Sequence, residues 1–165
     1  MSNKYLYSPW RIDYILGEKP EDCVLCRFQQ PEADRENLII HRGKTAYVML
    51  NRYPYNNGHL MIVPYEHKSN LNDLSLECLS EMMELAQVGE SVFKEVYRCE
   101  GMNLGMNLGK AAGAGIDTHL HLHIVPRWMG DHNFMSVIGG ERVIPESFEH
   151  SYARLSKAFK ERIRK

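Results

Sequence analysis

The segment 119–128, HLHLHIVPRW, constrains the fold of this chain more than any other. Three histidines alternate there with aliphatic residues, and a repeat of two residues is typical of a β-strand. A strand would place His119, His121 and His123 on one face and the intervening aliphatic side chains on the other. We expect the aliphatic face to pack in the core, which leaves the histidine face for function.

Other segments predict the elements around this strand. From Ser75 to Tyr97, apolar residues recur at helical spacing, and Ser75 is a suitable N-cap. The residues from Pro145 onward show the same spacing, whereas the stretch YPYNNG has the composition of a turn. Four further segments have β-type composition or alternation: 37–41, 46–51, 59–64 and 101–109.

The order of these elements predicts the fold class. At 165 residues the chain has the length of a single domain, 1–165. Strands joined by turns, with a long helix between the third and the fourth, favour an α+β fold. We expect a mainly antiparallel sheet of about five strands, one long central helix and a C-terminal helix at 145–165, preceded by an N-terminal arm at 1–22.

Charge and hydropathy limit the class of partner and the compartment. Lysine and arginine (20) nearly balance aspartate and glutamate (21), so we expect no nucleic-acid binding through bulk charge. The start, MSNKYLYSPWRIDY, lacks the apolar segment of a secretory signal, and no run approaches the roughly twenty apolar residues of a membrane span. We therefore expect a cytoplasmic protein with no membrane partner.

Two of the four cysteines form a C-x-x-C motif at Cys23 and Cys26. Without a secretory signal, a disulfide scaffold is disfavoured, and the motif indicates metal or redox chemistry. A redox motif usually begins a helix within a βαβ pattern, which this sequence lacks. A structural zinc site needs two more donors, and the eight histidines could supply them. Incidental thiols are the remaining interpretation.

The three histidines of the strand cannot all bind one ion. Residues four apart on a strand lie about 13 Å from each other, whereas zinc ligands lie about 2 Å from the metal. An imidazole whose Nδ1–H is held by a carbonyl can instead present Nε2 as a nucleophile toward phosphorus. Asn107 and the amides of the glycine-rich 110–118, which includes Gly113 and Gly115, could stabilise phosphoryl charge.

Two blocks of sequence resemble the histidine triad (HIT) family of nucleotide hydrolases and transferases. They are HLHLHIVPR and NRYPYNNGHLMIVPYEH, the latter at 51–67. The YSPWRIDYI arm, the NLG-x-x-AGAG loop and DHNFMSVIGGERVIP are further similar to bacterial diadenosine tetraphosphate phosphorylases. The resemblance implies a HIT-like fold, a homodimer joined through central helices and sheets, and a purine nucleotide or dinucleoside polyphosphate as substrate.

The resemblance also implies an activity. It is cleavage of a dinucleoside polyphosphate through a nucleotidyl-histidine intermediate, with inorganic phosphate as the acceptor. The alternatives are a hydrolase that uses water, an adenosine phosphoramidase, or a zinc-stabilised nucleotide-binding interaction protein. Any Mg²⁺ would accompany the polyphosphate.

The resemblance assigns roles residue by residue. The catalytic set is the triad His119, His121 and His123, with His121 as the nucleophile. His123 and His59 would line the α-phosphate, Asn51 would bind the ribose, and Asn107 would lie near the phosphates. The implied substrate-binding set is Asn51, His59, Asn107, Gly113 and Gly115, and the implied zinc ligands are Cys23, Cys26, His67 and His119.

The chain departs from many HIT hydrolases just before the triad. Those relatives place glutamine or serine there to assist the leaving group, whereas this chain has Gly115-Ile116-Asp117-Thr118. Thr118 or Lys110 are the expected substitutes.

Overall fold

A computed structural model describes residues 22–28, 31–131 and 144–164. Most of the predicted N-terminal arm and most of the segment DHNFMSVIGGERVIP lie outside the described residues. Within the described ranges the α-helices are α1 (Val24–Arg27), α2 (Leu76–Tyr97) and α3 (Phe148–Ile163). The strands are β1 (Ile39–Arg42), β2 (Ala46–Leu50), β3 (Leu60–Pro64), β4 (Gly101–Met106) and β5 (Leu122–Arg127).

The five strands form one sheet in the order β1-β2-β3-β5-β4. Every pair of neighbouring strands is antiparallel. The sheet therefore confirms the predicted α+β class and the predicted number of strands. Its order places β5, the carrier of His123, between β3 and β4, so the histidine segment is supported on both sides.

One face of the sheet is covered by α2 and α3, which form the main core. Met82 and Phe93 of α2 and Phe159 of α3 are fully buried there with Ile62 and Ile124 of the sheet. Burial of such side chains contributes about 1.5–3 kcal/mol each. This packing fixes the sheet as a rigid support for the histidines on its other face.

The long helix begins where the sequence predicts. The Ser75 hydroxyl accepts a hydrogen bond from the Cys78 amide at 3.1 Å, which satisfies one of the free N–H groups of the first turn. The helix ends at Tyr97, and Arg98 follows in the left-handed conformation with φ of 49°.

The C-terminal helix is anchored at its start by a half-buried ionic cluster around Glu146. Glu146 accepts hydrogen bonds from Tyr97 Oη at 2.7 Å, Ser151 Oγ at 2.8 Å and Arg154 Nη1 at 2.8 Å. Burial alone would raise the pKa of Glu146, but these donors lower it to about 2. The helix begins at Phe148, after the Ser147 N-cap, and is therefore slightly shorter than the predicted 145–165.

The opposite face of the sheet carries a smaller core beside the histidines. Tyr47, Met49 and Met61 are buried there against Leu25 of α1. The Tyr47 hydroxyl donates to the Leu25 carbonyl at 2.8 Å and so ties α1 to the sheet. His123 shares this face, because it is paired with Met61 across β3 and β5.

The histidine strand is shorter than predicted. It begins at Leu122, so His119 and His121 precede it. The register pairs Ile62 with Leu122, and its continuation would bring Pro64 opposite Leu120. Proline has no N–H to donate, and the Leu120 amide donates instead to the Lys68 carbonyl at 2.6 Å.

The other strand boundaries differ by a few residues. The first strand begins at Ile39 rather than 37, after Leu38 with φ of 60°, and the fourth ends at Met106 rather than 109. Among the described residues, no helix has the length and apolar composition needed to cross a membrane.

Candidate active site and metal centre

Four cysteine and histidine side chains converge beside α1. The ligand atoms of Cys23, Cys26, His67 and His119 all lie within 4.8 Å of one another. Cys26 Sγ lies 3.2 Å from His67 Nδ1 and 3.4 Å from His119 Nδ1, and Cys23 Sγ lies 3.3 Å from His119 Nδ1. These are the four residues that the resemblance implied as metal ligands, and they form a possible metal site.

The donor set fits a tetrahedral metal ion. Zinc bonds of about 2.3 Å to sulfur and about 2.0 Å to nitrogen place donor atoms about 3.3 to 3.8 Å apart. The His119 ring is also oriented for binding, because its Nε2 lies 2.9 Å from the Pro64 carbonyl oxygen. That carbonyl can only accept, so Nε2 carries the proton and the Nδ1 lone pair faces the thiols.

Metal binding would compete with protons at this cluster. Burial and the neighbouring Cys23 raise the pKa of the Cys26 thiol to about 11. Without a metal, Cys26 is therefore protonated at neutral pH. Since a cysteine binds metal as the thiolate, loading the site would release this proton.

The middle histidine is arranged as a nucleophile. His121 is buried, and its Nδ1 lies 2.9 Å from the His119 carbonyl oxygen. The carbonyl requires a proton on Nδ1, so the neutral ring carries its lone pair on Nε2. Burial lowers the pKa of His121, although the bond to the carbonyl acts in the opposite direction. The ring is therefore neutral at pH 7.

His59 and His123 form a directed chain of hydrogen bonds. The Tyr55 backbone amide donates to His59 Nδ1 at 3.0 Å. His59 Nδ1 must then be unprotonated and Nε2 protonated, and Nε2 lies 3.0 Å from His123 Nδ1. His123 Nδ1 accepts this bond, so the proton of His123 is on Nε2. The His123 ring lies 4.7 Å from the His121 ring between centroids, and it thus offers an N–H donor beside the nucleophile.

Burial keeps this histidine pair neutral. It lowers the pKa of His59 to about 3 and that of His123 to about 4, and the nearby histidines add to both shifts. The pair therefore remains in the neutral form throughout the physiological pH range. A fixed N–H donor and a fixed lone pair, on His123 and His121, can act together on a tetrahedral phosphoryl group.

The expected substrate-binding residues differ in burial and in position relative to the histidines. Asn51 is buried next to His59, with its Oδ1 accepting from the Tyr53 amide at 2.8 Å and its Nδ2 3.4 Å from His59 Nδ1. Asn107 follows β4 directly after Met106, which is paired with Leu122, so Asn107 lies at the His121 end of β5. Gly113, with φ of 82°, and Gly115 are both in the exposed loop that follows.

Three residues near the histidines were not anticipated from sequence. Tyr55 provides the amide that sets His59, and its ring packs at 4.7 Å from the His59 ring. Asn56 and Asp131 tie the same loop to the end of β5. The sequence signals were the turn composition of YPYNNG and the two segments quoted for the family resemblance, 51–67 and the one that begins at Asp131. They say nothing about the contacts of these three residues.

Comparison with known proteins agrees with the sequence pattern and the fold. The family model described as HIT domain matches residues 20–129. AP-4-A phosphorylase of Mycobacterium tuberculosis (strain ATCC 25618 / H37Rv) is 50% identical over 150 residues, which cover 86% of this chain and 76% of that protein. Adenosine 5'-monophosphoramidase of Saccharomyces cerevisiae is 29% identical over 105 residues, which cover 64% of this chain and 62% of that protein.

A solved structure shows the same fold. A Zn-bound histidine triad family protein from Mycobacterium smegmatis superimposes with a TM-score of 0.68 and 28% sequence identity, covering 85% of this chain and 94% of that one. The match extends the likeness from the two sequence blocks to the whole arrangement of sheet and helices. The chain belongs to the HIT domain family.

Proposed function

We propose that this protein is a diadenosine tetraphosphate phosphorylase that works through a nucleotidyl-His121 intermediate. The observation that carries the proposal is the bond from His121 Nδ1 to the His119 carbonyl, which leaves Nε2 free to attack. The 50% identity to a protein named AP-4-A phosphorylase supports the choice of substrate. Dinucleoside polyphosphates carry the purine nucleotide that the proposed site binds.

The reaction takes place in two displacements. His121 Nε2 attacks the α-phosphorus of one adenosine, the P–N bond forms, and the bond from phosphorus to the bridging oxygen breaks to release ATP. An oxygen of inorganic phosphate then attacks the same phosphorus, the P–N bond breaks, and ADP leaves. The proton of hydrogen phosphate passes to solvent, and His121 returns to its neutral form.

The neighbouring residues stabilise charge and hold the substrate. His123 Nε2–H would donate to a nonbridging phosphoryl oxygen, and His59 would keep that proton in place. Asn51 would bind the ribose, while Asn107 and the amides around Gly113 and Gly115 would contact the phosphates. The leaving oxygen would receive help from one of two side chains of the same loop, Thr118 or Lys110.

We assign the metal site to a structural zinc ion. Cys23, Cys26, His67 and His119 supply four donors, which fill a tetrahedral shell and leave no position for a catalytic water. Bound zinc would supply no chemistry to the reaction. It would join α1 and the loop after β3 to His119, whose backbone carbonyl holds the His121 ring.

We further propose that the chain, as a single HIT domain, forms a homodimer in the cytoplasm. Strand β4 is an outer strand of the sheet, and Leu104 on it is 44% exposed. An exposed strand edge with an apolar residue is suited to pairing with a second copy. The four free cysteines fit a reducing compartment, and neither nucleic acid nor a membrane takes part.

Product analysis with and without inorganic phosphate tests the activity. Purified protein is given diadenosine tetraphosphate, and nucleotides are separated by ion-exchange chromatography. ADP and ATP formed only with phosphate are expected. Formation of AMP and ATP regardless of phosphate would mean that the protein is a hydrolase and not a phosphorylase. Preferential turnover of an adenosine phosphoramidate, or nucleotide binding without turnover, would overturn the proposed substrate.

A further inference from the structure

The loop 51–58, between β2 and His59, is attached to the far end of β5 through one buried side chain. Asn56 is 8% exposed, and its Nδ2 donates to the Pro126 carbonyl at 3.1 Å and to Asp131 Oδ2 at 2.9 Å. The Asp131 carboxylate is itself fixed by Arg127, at 2.5 and 2.8 Å. These bonds thereby fix the position of the loop relative to β5.

Asn56 also shapes the loop on its own side. Its Oδ1 accepts from the Asn57 amide at 3.0 Å, and its carbonyl accepts from the His59 amide at 3.2 Å. These bonds close the turn between Tyr55 and His59. The Tyr55 amide is consequently held 3.0 Å from His59 Nδ1.

The Tyr55 amide is the nearer of two N–H donors beside His59 Nδ1, since Asn51 Nδ2 lies 3.4 Å from that atom, and it contributes most to where two protons reside. If the Tyr55 N–H moved away, His59 could carry its proton on Nδ1 and turn the lone pair of Nε2 toward His123. His123 would then place its own proton on Nδ1 to complete the bond with His59. Its Nε2 would become a lone pair, which repels a phosphoryl oxygen instead of donating to it.

We propose that Asn56 is a positioning residue that sets the tautomer of His123. By fastening loop 51–58 to β5, it keeps the Tyr55 amide on His59 and the proton of His123 on Nε2. The consequence for turnover rests on the proposed function, whereas the tautomer itself can be measured without any reaction.

The test is nitrogen NMR of the full chain with ¹⁵N-labelled histidine at about pH 7.5, where neutral imidazole dominates. Two-bond proton–nitrogen correlations distinguish the Nε2–H from the Nδ1–H form. We expect Nε2–H at His123 in the unaltered protein. In Asn56→Asp, which keeps the shape but loses both donors, we expect a mixture of the two forms and a kcat about ten- to a hundredfold lower.

Two further variants separate positioning from general stability. Asn70 donates to Asp73 Oδ2 at 2.9 Å on the exposed surface, so Asn70→Asp is a matched loss of one Asn–Asp bond, and it should leave the His123 signals unchanged. Asp131→Asn, added to Asn56→Asp, restores a donor and an acceptor between positions 56 and 131. This double variant should recover part of the Nε2–H form and part of kcat.

The outcomes distinguish this inference from the proposed function. An unchanged Nε2–H tautomer in Asn56→Asp would overturn the positioning role, even if the variant unfolded at a lower temperature. A shifted tautomer combined with no turnover of any dinucleoside polyphosphate by the unaltered protein would overturn the proposed function alone.

Discussion

The Nδ1 atom of His121 lies 2.9 Å from the backbone carbonyl oxygen of His119. The same His119 uses its ring in the Cys/His cluster, with Nδ1 3.3 Å from Cys23 Sγ. One residue therefore contributes its side chain to the Cys/His cluster and its backbone to the orientation of the proposed nucleophile. The cluster and the orientation of His121 are linked through this one residue.

Removal of the His121 imidazole should abolish turnover without abolishing nucleotide binding. His121→Ala is expected to lower kcat by at least about 10³-fold, because it removes the Nε2 lone pair that the bond to the His119 carbonyl leaves free for attack. Binding of a nonhydrolysable dinucleotide, measured by calorimetry, should change little. His150→Ala, an exposed histidine on α3, is the control and should remain active. Substantial turnover by His121→Ala would exclude the covalent intermediate on this residue.

Loss of one thiol should cost the protein its metal and much of its stability. We expect about one zinc per chain in the purified protein. Cys26→Ser should lose most of the bound zinc and much of the free energy of unfolding, since structural zinc can contribute on the order of 10 kcal/mol to that free energy. Metal analysis and thermal unfolding measure the two effects. Cys99→Ser removes a thiol outside the cluster and should change neither. Less than about one-half zinc per chain in an intact protein would contradict the assignment.

Local patterns in the sequence predicted the elements well, because their causes are local. Ser75 caps α2 through an amide three residues later, and helical spacing marked both long helices. The predicted start of β5 was wrong, because the true start depends on Pro64 in β3, which is distant in sequence. Alternation of residue types along one strand cannot reveal that its partner, β3, has a proline without an N–H at the opposite position.

Contacts between distant residues were not accessible from spacing. Asn56 and Asp131 are 75 residues apart, and nothing in either segment indicates their pairing. The same is true of Cys23 and His119, which are 96 residues apart, and for them the family resemblance supplied the grouping. Physical reasoning on the sequence alone left zinc, redox and incidental thiols as alternatives.

Acidification should destabilise the protein through His59. Burial lowers the pKa of folded His59 from the ordinary 6.5 to about 3, so between these values the unfolded chain binds a proton that the folded protein does not. The free energy of unfolding therefore decreases as the pH falls, by about 1.4 kcal/mol per pH unit from this residue. Urea unfolding at several pH values in zinc-containing buffer measures the slope.

The contribution of His59 is isolated by comparison with His59→Asn. This variant should show a shallower dependence on pH between about pH 6.5 and pH 4, since it lacks the titrating ring. His150→Asn, at an exposed position, should keep the slope of the unaltered protein. Equal slopes for all three proteins would mean that His59 is not held neutral by the fold.

Charge placed on the outer edge of β4 should dissociate the proposed dimer. Leu104 lies on this edge strand and is 44% exposed, and a lysine there would have to be desolvated if a second copy paired with the strand. Leu104→Lys should raise the dimer dissociation constant at least about tenfold, which corresponds to about 1.4 kcal/mol. Leu71→Lys, 39% exposed in the turn before α2, is the matched control and should remain dimeric. Sedimentation equilibrium over a range of protein concentrations measures both. A monomeric unaltered protein would refute the dimer, whereas equal dissociation constants for the two variants would move the interface away from β4.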